Sequence, residues 1–91
     1  MRKPLGEIRI PRAFLYDPLL SKTSKVLYLY LHDIAGEADF ILFSRIEAAT
    51  QLHLSTRTIR RSLSQLVHEQ YITDNTQDGE ETISFLYDAK S

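Results

Sequence analysis

Apolar and polar positions follow one another along this chain at two spacings, and the switches between them predict its elements. Over residues 22–35, Leu27, Tyr30, Leu31 and Ile34 fall at i, i+3, i+4 and i+7, and Val26 widens the stripe. That spacing puts them on one face of a helix. Ser21 is the natural N-cap and Gly36 the natural stop. Tyr28 and Tyr30 fall on different faces, which leaves one of them partly exposed. Residues 39–43 (Asp-Phe-Ile-Leu-Phe) form an apolar run too short for a helix and predict a strand. Ser44-Arg45-Ile46-Glu47 reads as a capping box, in which the serine hydroxyl accepts from the Glu47 N–H and the Glu47 carboxylate reaches back. Phe43 and Ala48 have the spacing of a hydrophobic staple around it. The helix that follows runs for about two turns and ends near Leu52. Ser55 then caps a further helix, expected from 56 to about 69, with Leu54 and Ile59 as its staple. Ile59, Leu63, Leu66 and Val67 form its inner stripe.

Beyond that helix the period changes to two. Residues 71–74 and 82–87 are β-prone, and the segment 75–79 between them ends in Asp78-Gly79, a strong turn signal. At the other end Pro4, Pro11 and Pro18 punctuate the chain. They leave room for a short edge strand over 7–10 and a short helix over 11–16, with Pro11 in its first turn and Pro18 as its end. The predicted fold class is therefore α+β. A three-helix core containing a helix-turn-helix carries a C-terminal β-hairpin and a short N-terminal strand and turn, which is a small winged helix. Residues 1–20 form the N-terminal arm and short helix, 21–70 the helical core, and 71–91 the hairpin wing and C-terminal tail of one domain.

Composition narrows the function. The chain has 91 residues, 43% of them hydrophobic, and no cysteine, which fits one globular domain without disulfides or thiolate metal sites. No run approaches the length of a membrane span, and the first residues lack a signal-peptide core, so a cytoplasmic location and no membrane partner are expected. The formal net charge of -1 argues at first against a nucleic-acid partner. Its distribution reverses that inference. Residues 44–68 carry four positive charges (Arg45, Arg57, Arg60, Arg61) and one negative (Glu47), whereas residues 69–91 carry one positive (Lys90) and six negative.

The positive charges lie where a helix-turn-helix meets DNA. Arg57, Arg60, Arg61 and Ser64 share one face of the predicted 55–69 recognition helix, opposite Ile59 and Leu63. Ser55, Thr56, Arg57 and Thr58 stand at its N-terminal end, where such a helix reaches base edges. Arginine suits the O6 and N7 acceptors of guanine, while serine, threonine and glutamine suit phosphates, thymine methyls and adenine. Ser44, Arg45 and Gln51 on the preceding helix, and Lys22 and Lys25 on the first, are placed to hold the flanking backbone. The bland alternative is a solvated face whose arginines pair with acidic residues of the wing, each pair worth about 0–1 kcal/mol.

Ile10-Pro11-Arg12-Ala13-Phe14-Leu15, Asp17-Pro18, Leu20-Ser21-Lys22-Thr23-Ser24-Lys25-Val26-Leu27-Tyr28 and the stretch from Phe43 to Ile72 together resemble the N-terminal winged-helix domain of plasmid and phage replication initiators, including the DnaD-like group. The resemblance covers residues 8–72. It places Ile46, Ala49 and Leu52 on the first helix of the motif, Ser55, Thr58 and Arg61 on the recognition helix, and Leu66 and Ile72 at the exit into the wing. It implies a duplex-DNA partner. It is less specific to role, since repressors and conjugation accessory proteins share the module. Three departures stand out. Gln70 occupies a place where the family usually has glycine, so the helix is expected to run on or to end with strain. Asp74, Asp78, Glu80 and Glu81 make the wing acidic where a DNA-contacting wing carries lysine or arginine. The chain also stops at Ser91, short of the initiators' further domain, so a full initiator is not expected.

Other chemistries find no support. His32, His53 and His68 lack metal-ligand spacing, Asp33, Glu37 and Asp39 lack a calcium-loop pattern, and three glycines make no phosphate loop. Ser44, Ser55 and Ser62 fit caps or surface positions better than nucleophiles. The expectation is a non-enzymatic protein without cofactor or metal that binds specific duplex DNA. Its role would be regulatory or accessory, in transcription, plasmid replication or conjugative transfer. A homodimer or several copies on repeated sites is the usual route to specific binding by such a module. The candidate interfaces are the N-terminal segment with the first helix, and the C-terminal strand with Phe85, Leu86 and Tyr87. The rival reading is a protein-interaction module that docks a basic partner through its acidic wing.

Overall fold

The computed structural model describes residues 12–86; the expected strand over 7–10, Pro11 and the tail from Tyr87 lie outside them. Four helices, α1 (Arg12–Leu15), α2 (Lys22–Ala35), α3 (Arg45–Leu52) and α4 (Thr56–His68), combine with three strands, β1 (Phe40–Phe43), β2 (Ile72–Gln77) and β3 (Glu80–Phe85). The strands form one antiparallel sheet in the order β1-β3-β2. The whole is a small α+β domain with its core between the helices and one face of the sheet.

The helix starts are set by serine. Ser21, Ser44 and Ser55 each accept, through the side-chain oxygen, the backbone N–H three residues on, at 3.1 Å, as N-caps do. At Ser44 the Glu47 carboxylate makes no return hydrogen bond among the described residues, so half of the capping box forms.

The helix ends use left-handed residues. Tyr71 N–H donates to Leu66 O at 2.9 Å and Gln70 N–H to Val67 O at 3.0 Å, while Gln70 itself has φ 65°. This is a Schellman closure with a glutamine in the glycine position; the helix ends with strain and does not run on. His53 (φ 57°) does the same after α3, where Leu54 N–H reaches Ala49 O at 2.9 Å. The three residues between α3 and α4 are thus a tight, hydrogen-bonded corner.

Two expectations about faces need correction. In α2 the buried residues are Ser24, Leu27, Tyr28, Leu31 and His32, whereas Val26 and Ile34 are exposed and Tyr30 is half-buried. The helix is apolar around most of its circumference, so periodicity alone could not choose between overlapping stripes. Aromatic contacts decide it. Tyr28 packs on Phe14 (ring centroids 4.6 Å apart), Tyr71 (5.7 Å) and Phe85 (6.0 Å), and His32 stacks on Phe85 at 4.1 Å. Aromatic pairs add about 0.5–1.5 kcal/mol beyond the area they bury. In α4, Ile59, Leu63 and Leu66 are buried as expected, but Val67 is exposed and Ser62 takes an inner place.

The hairpin turn is also shorter than the expected 75–79. Asp78 (φ 55°) and Gly79 (φ 82°) alone make it. Two consecutive left-handed residues match the twist of the strands on either side, so pairing continues to Gln77 opposite Glu80. On the inner face of the sheet lie Ile41 and Phe43, Ile83 and Phe85, and Ile72, all buried.

Candidate nucleic-acid interface

The orientation of α4 is fixed by its inner side. Ile59, Leu63 and Leu66 are essentially inaccessible, and burying each contributes about 1.5–3 kcal/mol. A polar seam locks the rotation beside them. Gln65 Oε1 accepts from the Ser21 N–H at 2.7 Å and from the Ser24 hydroxyl at 2.6 Å, and the Ser62 hydroxyl donates to Thr23 Oγ1 at 3.2 Å. Gln65 therefore belongs to the junction with α2 and not to the outward face. The signal was its place beside Leu66 and one turn from Ser62 on the inner stripe.

With that side held, Arg57, Arg60, Arg61 and Ser64 stand exposed on the opposite side. None of the three arginines forms an ion pair among the described residues. The salt bridges to the hairpin that a solvated face would use are not made. At the start of α4, Ser55, Thr56 and Arg57 are exposed. Thr58 is half-buried, and its hydroxyl accepts from the Ser55 hydroxyl at 3.0 Å. First-turn N–H groups have no partner within a helix, so this end offers donors beside Arg57.

The remaining candidates divide. Ser44, Gln51 and Lys22 are exposed. Lys25 donates through Nζ to the Leu15 carbonyl at 2.8 Å, tying α2 to the end of α1. Arg45 is engaged by the sheet. Its Nε and Nη2 donate to Glu81 Oε1 and Oε2, both at 2.9 Å, and Asp74 Oδ2 lies 3.7 Å from Nη2. Strand register explains the cluster. Asp74 faces Ile83 across the ladder, and Glu81 faces Phe43 and Thr76. Directly opposed residues share a sheet face, so both carboxylates continue the inner, buried row. Their side chains are 20% and 11% exposed, against 38% for Arg45. The four acidic residues of the hairpin are therefore two pairs: Asp78 and Glu80 in solvent, Asp74 and Glu81 turned in against Arg45.

The electrostatics follow from that placement. Burial pushes the Asp74 carboxyl up to about 6, helped by a proton shared with Glu81 and by the Glu81 charge, against the pull of Arg45. For Glu81 burial also pushes upward, but the hydrogen bonds from Arg45 and Asp74 and the Arg45 charge outweigh it and hold the carboxyl below its ordinary range. Asp74 Oδ1 is buried without a hydrogen-bond partner among the described residues.

No family model, curated protein or solved structure matches this chain. Among the described residues no three His, Asp or Glu side chains are grouped to hold a metal ion, and no helix is long and apolar enough to cross a membrane. The arrangement offers an exposed, unpaired basic helix face with hydrogen-bonding groups at its N-terminal end, the donor set that phosphates and base edges accept.

Proposed function

We propose that this chain is a winged helix-turn-helix DNA-binding domain that lays α4 in the major groove of duplex DNA. The observation that carries this reading is the face of Arg57, Arg60, Arg61 and Ser64, exposed and, among the described residues, without carboxylate partners on a helix whose rotation is locked from behind. The tight corner at His53, the hairpin after α4 and the resemblance to initiator N-terminal domains all agree with it. Base contacts come from Thr56, Arg57 and Arg60, and phosphate contacts from Ser55, Arg61, Ser64, Ser44, Gln51 and Lys22. Two copies on paired sites supply the affinity that one module lacks. The role is regulatory or accessory, in transcription, plasmid replication or transfer. Docking of a basic protein on the hairpin is the weaker reading, because only Asp78 and Glu80 remain in solvent there.

Fluorescence anisotropy against duplex fragments at several salt concentrations tests the proposal. Arg57→Ala and Arg60→Ala are each expected to weaken binding by about 1–3 kcal/mol, with a wild-type affinity that falls steeply with salt. A flat salt response, or no loss in the double variant, rejects the groove assignment.

A further inference from the structure

Arg45 stands at the first position of α3, next to the Ser44 cap, where the reading above expects a phosphate of the flanking backbone. Yet its guanidinium is bound by Glu81 and lies 3.7 Å from Asp74. With both acids ionised, the trio carries one net negative charge and repels a phosphate. The Arg45 side chain is nonetheless 38% exposed. It has five N–H donors, and Glu81 takes only one on Nε and one on Nη2. Among the described residues Asp74 Oδ1 is buried with no hydrogen-bond donor, so this single arginine leaves part of the carboxylate pair unsatisfied.

We propose that Asp74 and Glu81 restrain Arg45 as a phosphate contact, so that the inward-facing acids of the hairpin set how tightly the domain holds DNA. The inference rests on the DNA-binding reading and deepens it. Neutralising the two acids leaves the Arg45 charge uncompensated at the N-terminus of α3. The outward pair, Asp78 and Glu80, carries the same charge on the same hairpin without touching an arginine among the described residues, and so provides a matched control.

The experiment compares D74N/E81Q with D78N/E80Q in anisotropy titrations on one duplex across a salt series, with circular dichroism melts to verify folding. D74N/E81Q is expected to bind roughly tenfold tighter than wild type, the size of one hydrogen bond to a charged group, with a salt slope steeper by about one. D78N/E80Q is expected to gain much less. In an Arg45→Met background the gain from D74N/E81Q is expected to vanish. Equal gains from the two double variants, or a gain that survives Arg45→Met, would show that hairpin charge acts only at long range and would overturn the proposal. The single variants D74N and E81Q cover the case of a double variant that fails to fold: each is expected to gain part of the tenfold, and no gain from either overturns the proposal equally. If wild type binds no DNA and Arg57→Ala changes nothing, the DNA-binding reading itself fails. Binding that needs Arg57 while Arg45 stays indifferent removes this inference alone.

Discussion

The two charged regions of this domain look alike in sequence and opposite in structure. On α4, Arg57, Arg60 and Arg61 stand in solvent with no carboxylate of the described residues against them. At the junction of α3 with the sheet, Arg45 is held by two half-buried carboxylates. Charge that is partnered within the fold goes to fixing one element on another, and charge left unpartnered on a rigid helix is available to something outside. The same four arginines, counted together, suggested a basic patch; three of them face outward freely, and the fourth ties the hairpin to α3.

The sharpest way to break this contrast is to delete the paired arginine. Arg45→Met leaves Glu81 and Asp74 half-buried without a counter-charge. Removing one partner of a fully buried pair costs about 3–5 kcal/mol, and partial exposure of this site reduces the expected loss to about 1–3 kcal/mol. Urea unfolding monitored by circular dichroism measures it. Arg57→Met is expected to change stability by less than about 0.5 kcal/mol. Equal losses for the two variants would mean that the ion pair at Arg45 contributes nothing a surface arginine does not.

A smaller effect of opposite sign is expected from Asp74→Asn. The folded-state carboxyl sits at about 6, above its ordinary value of 3.8, so the native protein keeps a proton that the unfolded chain releases. Raising pH from about 4 through about 6 therefore lowers wild-type stability. Asparagine removes the titration and the repulsion from Glu81. At pH 7.5 the variant is expected to be about 1 kcal/mol more stable, the shift being discounted for solvent screening. Toward pH 4 the advantage should shrink. Glu81, held below its ordinary range, works the other way, and its contribution is lost as pH falls through its own folded value. A thermal-melt series from pH 4 to pH 8 that shows no convergence of the two proteins would remove Asp74 from the account.

How much of this was visible beforehand depends on what each position needs to know. The elements announced themselves locally: Ser21, Ser44 and Ser55 start helices with their own side chains, and Asp78-Gly79 makes its turn with its own dihedrals. The outward face of α4 was legible too, because Ile59 and Leu63 left one orientation for the arginines. The stripe of α2 was not, since Tyr28 and His32 are drawn inward by Phe14, Tyr71 and Phe85, rings contributed by distant parts of the chain. The partner of Arg45 was half legible. Period-two alternation puts Asp74 with Ile72 and Glu81 with Ile83 on the buried face, but only the register of β3 between β1 and β2 brings them to the start of α3.

The smallest test asks what the unpaired face costs the fold. Arg57 and Arg61 stand at i and i+4, and Arg57 and Arg60 at i and i+3, so their like charges repel across one turn of α4. Such pairs destabilise a helix by about 0.2–0.5 kcal/mol and are screened by salt. Arg57→Gln, which removes both repulsions while keeping a good helix former, is expected to raise stability by that amount at low ionic strength and to gain nothing at high salt. Arg45→Met should lose stability under either condition, because its half-buried partners are only weakly screened. Denaturant midpoints at low and high salt separate the two responses. A loss on Arg57→Gln would reveal a stabilising partner for this face and count against its being kept free for DNA. A salt-sensitive gain at Arg57 beside a salt-insensitive loss at Arg45 fits a helix face left unpaired for a polyanion.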